Sequence, residues 1–320
     1  MSTIKNYLSL IRFSHTIFAM PFAMIGFFLG LHDMGWLAGT GQWNLNKALG
    51  WDNEDTASWK EILLRLILVV LCMIFARSAA MAFNRYLDRQ FDAKNPRTAI
   101  REIPRGIISA NSALRFTIVC CILFLITCFF INRLCFFLAP VALFVILFYS
   151  YTKRFTPLCH LILGIGLSLA PIGAYLAVTG HFTLLPVLFS FAVIFWVSGF
   201  DIIYALQDEE FDKSLQLYSM PSWLGKASAL RVSELLHLLS TACVVTAGLY
   251  GTLGWWYWIG VAIFTGMLIY QHALVKPNDL SKVNLAFMTA NGIASVVFAI
   301  FVIADIFLTR GHRVFHVWKG

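Results

Sequence analysis

Two stretches of this 320-residue chain place carboxylates four residues apart and next to cations. The first, residues 84–98, reads N-R-Y-L-D-R-Q-F-D-A-K-N-P-R-T, so Asn84, Asp88 and Asp92 recur at every fourth position. The second, residues 201–212, reads D-I-I-Y-A-L-Q-D-E-E-F-D, with Asp208 and Asp212 four apart and Asp201 seven before Asp208. On a helix a step of four rotates a side chain by only about 40°, so each set is expected on one face. Arg77, seven residues before Asn84, extends the first face inward, and Pro96 is expected to end the helix. Neighbouring carboxylates repel unless a cation lies between them. Magnesium takes oxygen ligands, keeps several waters, and is held by one or two carboxylates plus substrate phosphates. Two such motifs facing each other would hold Mg²⁺ around a diphosphate, with Arg97, Arg101 and Lys153 as donors to its remaining oxygens. Metal and cations together would stabilise charge on the departing diphosphate and leave C1 of an allylic chain electrophilic.

A single D-x-x-x-D at a membrane edge reads as solvated charge. Two, each flanked by Arg or Lys and each following an apolar helix, read as a site. The pairs recur 120 positions apart (208 − 88 and 212 − 92), a weak internal duplication of pattern. Tyr149 and Lys153 are also four apart; they fit either the site or an aromatic belt with a positive anchor. His15 and His160 read as interfacial and carry no assigned role.

The elements that must position these residues are membrane helices. The chain is 59% hydrophobic and 12% charged, against about 45–50% apolar and about 25% charged in soluble domains. Spanning helices of ~20 apolar residues are expected at residues 13–31, 62–83, 114–131, 134–151, 158–178, 184–200, 234–250, 255–275 and 283–308. The fold class is therefore all-α, a polytopic bundle of about nine spans in one domain over residues 1–320. Lys5 and Arg12 precede the first span, which lacks a cleavage site and is expected to be retained. Connections after even-numbered spans hold most of the Lys and Arg, which puts them and the N-terminus in the cytoplasm. Arg310, Arg313 and Lys319 in the tail fit this orientation poorly. Residues 32–60, rich in Gly, Trp and Asn, are expected to form an extended noncytoplasmic loop without chemistry of its own. The formal charge of +8 reports topology and attraction to anionic lipid, and nothing suggests nucleic acid. Seven cysteines without a C-x-x-C pair read as small packing residues.

These motifs, with Y-S-Y-T-K-R-F-T at residues 149–156, resemble the UbiA superfamily of intramembrane prenyltransferases over essentially the whole chain. The family is typified by 4-hydroxybenzoate polyprenyltransferase. The stretch H-T-I-F-A-M-P-F-A at residues 15–23 resembles its bacterial quinone-synthesis branch, which includes enzymes assigned to 4-hydroxybenzoate or to futalosine-route menaquinone. The resemblance implies nine helices around a central cavity open laterally to lipid, in the inner (plasma) membrane, with the site toward the cytoplasm. It implies Mg²⁺ on Asp88, Asp92, Asp208 and Asp212, with Asn84 beside them. It implies diphosphate on Arg97, Arg101, Tyr149 and Lys153. Arg77 and Arg12 would face the acceptor, and Asp201 would stand near the reacting ring and assist proton removal. The expected reaction moves a polyprenyl chain from its diphosphate to a small aromatic acceptor in ubiquinone or menaquinone synthesis. Two rivals stay open: a transporter coupled through intramembrane carboxylates, and the same chemistry on haem, chlorophyll-type or naphthoate acceptors. The length of residues 32–60 departs from the compact family form.

Overall fold

A computed structural model describes residues 3–11, 18–34 and 59–309. Its elements in chain order are α1 (Thr3–Leu10), α2 (Met20–Asp33), α3 (Trp59–Leu87), α4 (Arg89–Lys94), α5 (Ala110–Ile131), α6 (Arg133–Thr152) and α7 (Cys159–Thr179). Then come α8 (Leu184–Ala205), a 3-10 turn (Leu206–Asp208), α9 (Glu209–Ser214), α10 (Met220–Leu224), α11 (Lys226–Tyr250), α12 (Trp255–Leu274), a π turn (Leu285–Ala290) and α13 (Asn291–Leu308). Among the described residues eight helices are long and apolar enough to cross a membrane, and Met20–Asp33 is a shorter apolar helix. About nine membrane helices is therefore the right reading of the sequence. The chain is an integral, multi-pass membrane protein.

Tight turns join α5 to α6, α7 to α8 and α11 to α12, and side-chain contacts gather the connections after α3, α6 and α8 at one end of the bundle. Asn132, between α5 and α6, caps the latter by accepting from Cys135 N at 2.7 Å and donates to Leu176 O at 2.8 Å. Gly180, between α7 and α8, takes φ 70°, a left-handed conformation that suits glycine.

Lipid offers no hydrophobic gain for bringing apolar helices together, so close packing and buried hydrogen bonds must do it. At the α2–α7 crossing a Cβ on Gly26 would lie 2.0 Å from Pro171 O, and at the α7–α8 crossing a Cβ on Gly164 would lie 2.5 Å from Ile194 O. The core between α2, α8, α11, α12 and α13 is aromatic: Phe22, Trp196, Phe264 and Phe298 are fully buried. Trp196 Nε1 and Gln271 Nε2 both donate to Asn291 Oδ1 at 2.8 Å, and Asn291 Nδ2 donates to Phe287 O at 3.0 Å. That bond satisfies a carbonyl within the π turn, where the regular helical ladder is interrupted.

The structure corrects the expected local geometry. The sixth span does not stop at residue 200 but runs on through Ala205, so Asp201 sits inside a helix. Neither motif is one uninterrupted helical face. The chain breaks at Asp88 (φ −89°, ψ 6°) between α3 and α4, and at Asp208 (φ −106°, ψ 6°) between the 3-10 turn and α9. The matching dihedrals give the repeated pattern a backbone counterpart. Pro96 does follow the end of α4. The seven cysteines are free thiols, as packing residues should be. Arg12, His15, most of the 32–60 loop, and tail residues Arg310, Arg313 and Lys319 lie outside the described residues.

Overpacking a core costs about 1–3 kcal/mol or more where the neighbour is rigid. Gly26→Val should therefore melt well below the parent protein in detergent. Gly266→Ala, with nothing within 4 Å, should not. A Gly26→Val protein that melts with the parent would contradict the α2–α7 crossing.

Candidate active site

The four motif carboxylates each meet a cation at the same end of the bundle. Arg154 Nη2 donates to Asp88 Oδ1 at 2.9 Å, and Asn84 Nδ2 donates to Asp88 Oδ2 at 3.1 Å. Arg101 Nη1 donates to Asp92 Oδ1 at 2.6 Å. Arg97 grips Asp208 with both Nε and Nη2, and its Nη1 donates to Tyr204 Oη at 2.8 Å. Lys153 Nζ lies 2.6 Å from Asp212 Oδ1, while Ser219 Oγ donates to Asp212 Oδ2 at 2.9 Å.

These contacts tie the two motifs together. Asn95 and Arg97, just beyond the first motif, both bind Asp208 of the second. Lys153 and Arg154, adjacent at the end of α6, reach one carboxylate of each motif. The motifs therefore converge. Asp92, Asp208 and Asp212 are buried, a costly setting for charge unless it is paired.

The electrostatics follow from that burial. Desolvation pushes the Asp88 carboxyl above its usual range, and Asp92 adds to the rise, against the pull of Arg154 and Lys153. Burial alone would lower Arg97 and Lys153, but Asp208 and Asp212 beside them outweigh it and hold both cations above their usual ranges. The donor set suits a hard divalent cation: all oxygen, two carboxylates per motif. Two buried carboxylate oxygens have no hydrogen bond: Asp92 Oδ2, with Arg85 Nη1 4.0 Å away, and Asp212 Oδ1, which meets Lys153 Nζ as an ion pair. Among the described residues no three acidic, His or Cys side chains are grouped tightly enough to hold a metal as they stand, since the carboxylates point to their cations. Holding one requires the ion pairs to open.

Beneath this charged end lies a cavity of about 500 Å³. Arg77, Asn84, Arg101, Tyr149, Asp201 and Tyr204 line its polar end; the rest of its wall is chiefly apolar. Along α3 it reaches from Arg85 to Val69, roughly 24 Å at 1.5 Å per residue. Val141 on α6 and Phe182 in the α7–α8 turn line it and are exposed. The buried Arg77 Nε has no hydrogen-bond partner. Of the residues singled out from sequence, Asp88, Asp92, Asp208, Asp212, Asn84, Arg97, Arg101 and Lys153 meet in the charged cluster. Arg77, Tyr149 and Asp201 face the cavity below it. Arg12 lies outside the described residues.

Sequence reasoning gave no role to Arg154, Asn95, Tyr204 or Ser219. The adjacent cations in T-K-R-F-T hinted at Arg154; the others are visible only through tertiary contact. His160 is not interfacial. It is buried, with Nδ1 2.6 Å from Asp201 Oδ2.

The chain is similar to known proteins in both sequence and fold. A profile of the UbiA prenyltransferase family matches residues 48–293. The 4-hydroxybenzoate octaprenyltransferase of Nitrosospira multiformis is 31% identical over 73% of this chain and 80% of its own length. That of Nitrosomonas europaea is 30% identical over 76% and 83%. Among solved structures, a UbiA homolog from Aeropyrum pernix K1 superposes with TM-score 0.72 at 27% identity, covering 92% of this chain and 98% of the other. An Archaeoglobus fulgidus UbiA homolog bound to GPP and Mg²⁺ has the same fold, with TM-score 0.67 at 20% identity over 94% and 99% of the two chains. A paired-carboxylate bundle over a greasy cavity, the family profile and full-length structural likeness lead to one conclusion: this chain belongs to the UbiA prenyltransferase family and is a membrane-embedded prenyltransferase.

Proposed function

We propose that the chain transfers a polyprenyl group from polyprenyl diphosphate to a small acidic aromatic acceptor, of the 4-hydroxybenzoate or futalosine-intermediate kind, in a Mg²⁺-dependent step of quinone synthesis. The observation that carries this reading is the set of ion pairs joining all four motif carboxylates to Arg154, Arg101, Arg97 and Lys153 at the mouth of an apolar cavity. Asp88, Asp92, Asp208 and Asp212, with Asn84, would hold Mg²⁺. Bound there, the ion would supply Lewis-acid stabilisation of the leaving diphosphate. With those carboxylates holding the ion, Arg97, Arg101, Lys153 and Arg154 would be free to donate to diphosphate oxygens, and Tyr149 stands below them in the cavity wall.

The polyprenyl tail lies along the cavity and leaves through its flank. Phe18, Phe200, Tyr204 and Phe287 line the cavity and touch one another, with the Tyr204 and Phe287 rings 4.2 Å apart. Their π faces favour positive charge at C1 and exclude water that would quench it. Arg77, whose buried Nε is unsatisfied, pairs with the acceptor's carboxylate and orients its ring. Resemblance alone assigns Arg12 to the same task. The basic connections support an active site facing the cytoplasm, and we read the membrane as the inner one. All of residues 1–320 act as one domain in this scheme, and residues 32–60 are given no part in the chemistry.

The direct test combines purified protein, Mg²⁺, a polyprenyl diphosphate and a panel of aromatic acids, with products read by mass. Prenylated acid is the expected product; no prenylated product with any acid would overturn the reading. Asp88→Ala and Asp208→Ala should each lower turnover by at least about 10²–10³, the scale of a lost electrostatic contact at a developing charge, while the proteins stay folded in detergent. Near-normal turnover by either would count against the metal role. Arg77→Gln should raise KM for the acid by about 10-fold or more, the worth of a charged hydrogen bond, and leave KM for the donor little changed. An equal effect on both substrates would contradict the acceptor assignment.

A further inference from the structure

The charged cluster accounts for ionising the donor but not for the last proton. Once the ring carbon has bonded to C1 and the C1–O bond has broken, diphosphate leaves with the bonding pair. The ring carbon still holds its hydrogen, and that proton must go to a base before aromaticity returns. Asp201 is the carboxylate in the cavity wall, and one of its oxygens is already engaged. His160, at the start of α7, is buried and places Nδ1 2.6 Å from Asp201 Oδ2. Its other nitrogen, Nε2, accepts from the backbone N–H of Met220 at 3.3 Å.

That second contact fixes the chemistry of the first. A backbone N–H can only donate, so Nε2 must be the bare nitrogen and Nδ1 must carry the proton. His160 is thus a neutral donor to Asp201, with its tautomer set by the chain itself. Asp201 Oδ2 is occupied, and Oδ1 makes no hydrogen bond among the described residues. The close α7–α8 crossing at Gly164 allows this approach, and Ser198 Oγ donates to His160 O at 3.1 Å across it.

We infer that His160 is a positioning residue that holds the Asp201 carboxylate so that Oδ1 accepts the ring proton released after C–C bond formation. The inference rests on the function proposed above and adds a residue to it. The support continues past His160. Met220 follows Ser219, whose hydroxyl donates to Asp212. One turn, residues 219–220, therefore sets both the proton acceptor and a carboxylate of the diphosphate site. Donor ionisation and proton loss are held in register by one piece of backbone.

The test uses 4-hydroxybenzoate deuterated at both ring carbons ortho to the hydroxyl, with Mg²⁺ and a polyprenyl diphosphate. In the parent protein proton loss is fast, and labelled and unlabelled acid should react at the same rate. His160→Ala should lower kcat by about tenfold or more, the lower range for a displaced general base, and should show a primary isotope effect that the parent lacks. His160→Asn offers an amide N–H where Nδ1–H stood; it should recover part of the rate and lose the isotope effect. A His160→Ala protein with parental kcat, or with a lower kcat and no isotope effect, overturns the inference. If the alanine protein does not fold, the asparagine protein decides alone: absence of an isotope effect supports the inference and its presence overturns it. A parent protein that makes no product from this acid overturns the acceptor reading first, and this assignment with it.

Discussion

Opposite charges held close together at one end of an apolar bundle set the terms for everything else in this structure. In a low-dielectric setting an isolated carboxylate is expensive, and removing one partner of a buried pair costs several kcal/mol. Here the carboxylates of two motifs, 120 residues apart in sequence, are each matched by a cation. The match keeps the folded chain tolerable without ligand. On the proposed function, it also stores the groups that a metal–diphosphate complex would need, in equal numbers and opposite sign. Binding such a complex would then exchange partners rather than create new buried charge.

The fold serves that exchange. Helix irregularities at Asp88 and Asp208 interrupt each motif at the end of its span. The turn at Asn95 and the end of α6 then cross-link the motifs. Close helix crossings at Gly26 and Gly164 bring α2, α7 and α8 together, while the cavity wall is exposed at Val141 and Phe182. A long apolar chain can then lie in the bundle while its charged head sits among cations. Transporter-style chemistry has no such need for paired acids at one end.

Much of this could be read from residue types alone. Spans of apolar residues declared the bundle, and carboxylates at spacing four declared the acidic clusters, because both are local properties of the chain. Hydropathy ended the sixth span too early, since Asp201 lies inside α8 facing the cavity and bonded to His160, which the residue type does not reveal. The helix breaks were hidden because spacing four suits a helix equally well whether or not it bends at the first Asp. Arg154, Asn95 and Ser219 acquire meaning only from partners dozens of residues away, which no local pattern encodes. His160 looked like an interfacial ring for the same reason.

The exchange of ion-pair partners is tested most directly by binding, without turnover. Inorganic pyrophosphate and Mg²⁺ can be titrated separately and together into the detergent-purified protein by calorimetry, with free ion concentrations held constant. Each should tighten the other's binding by the same factor, as linkage requires, because carboxylates drawn to the metal free the arginines and lysine for the phosphates. Pyrophosphate that binds equally well without any divalent ion would contradict it.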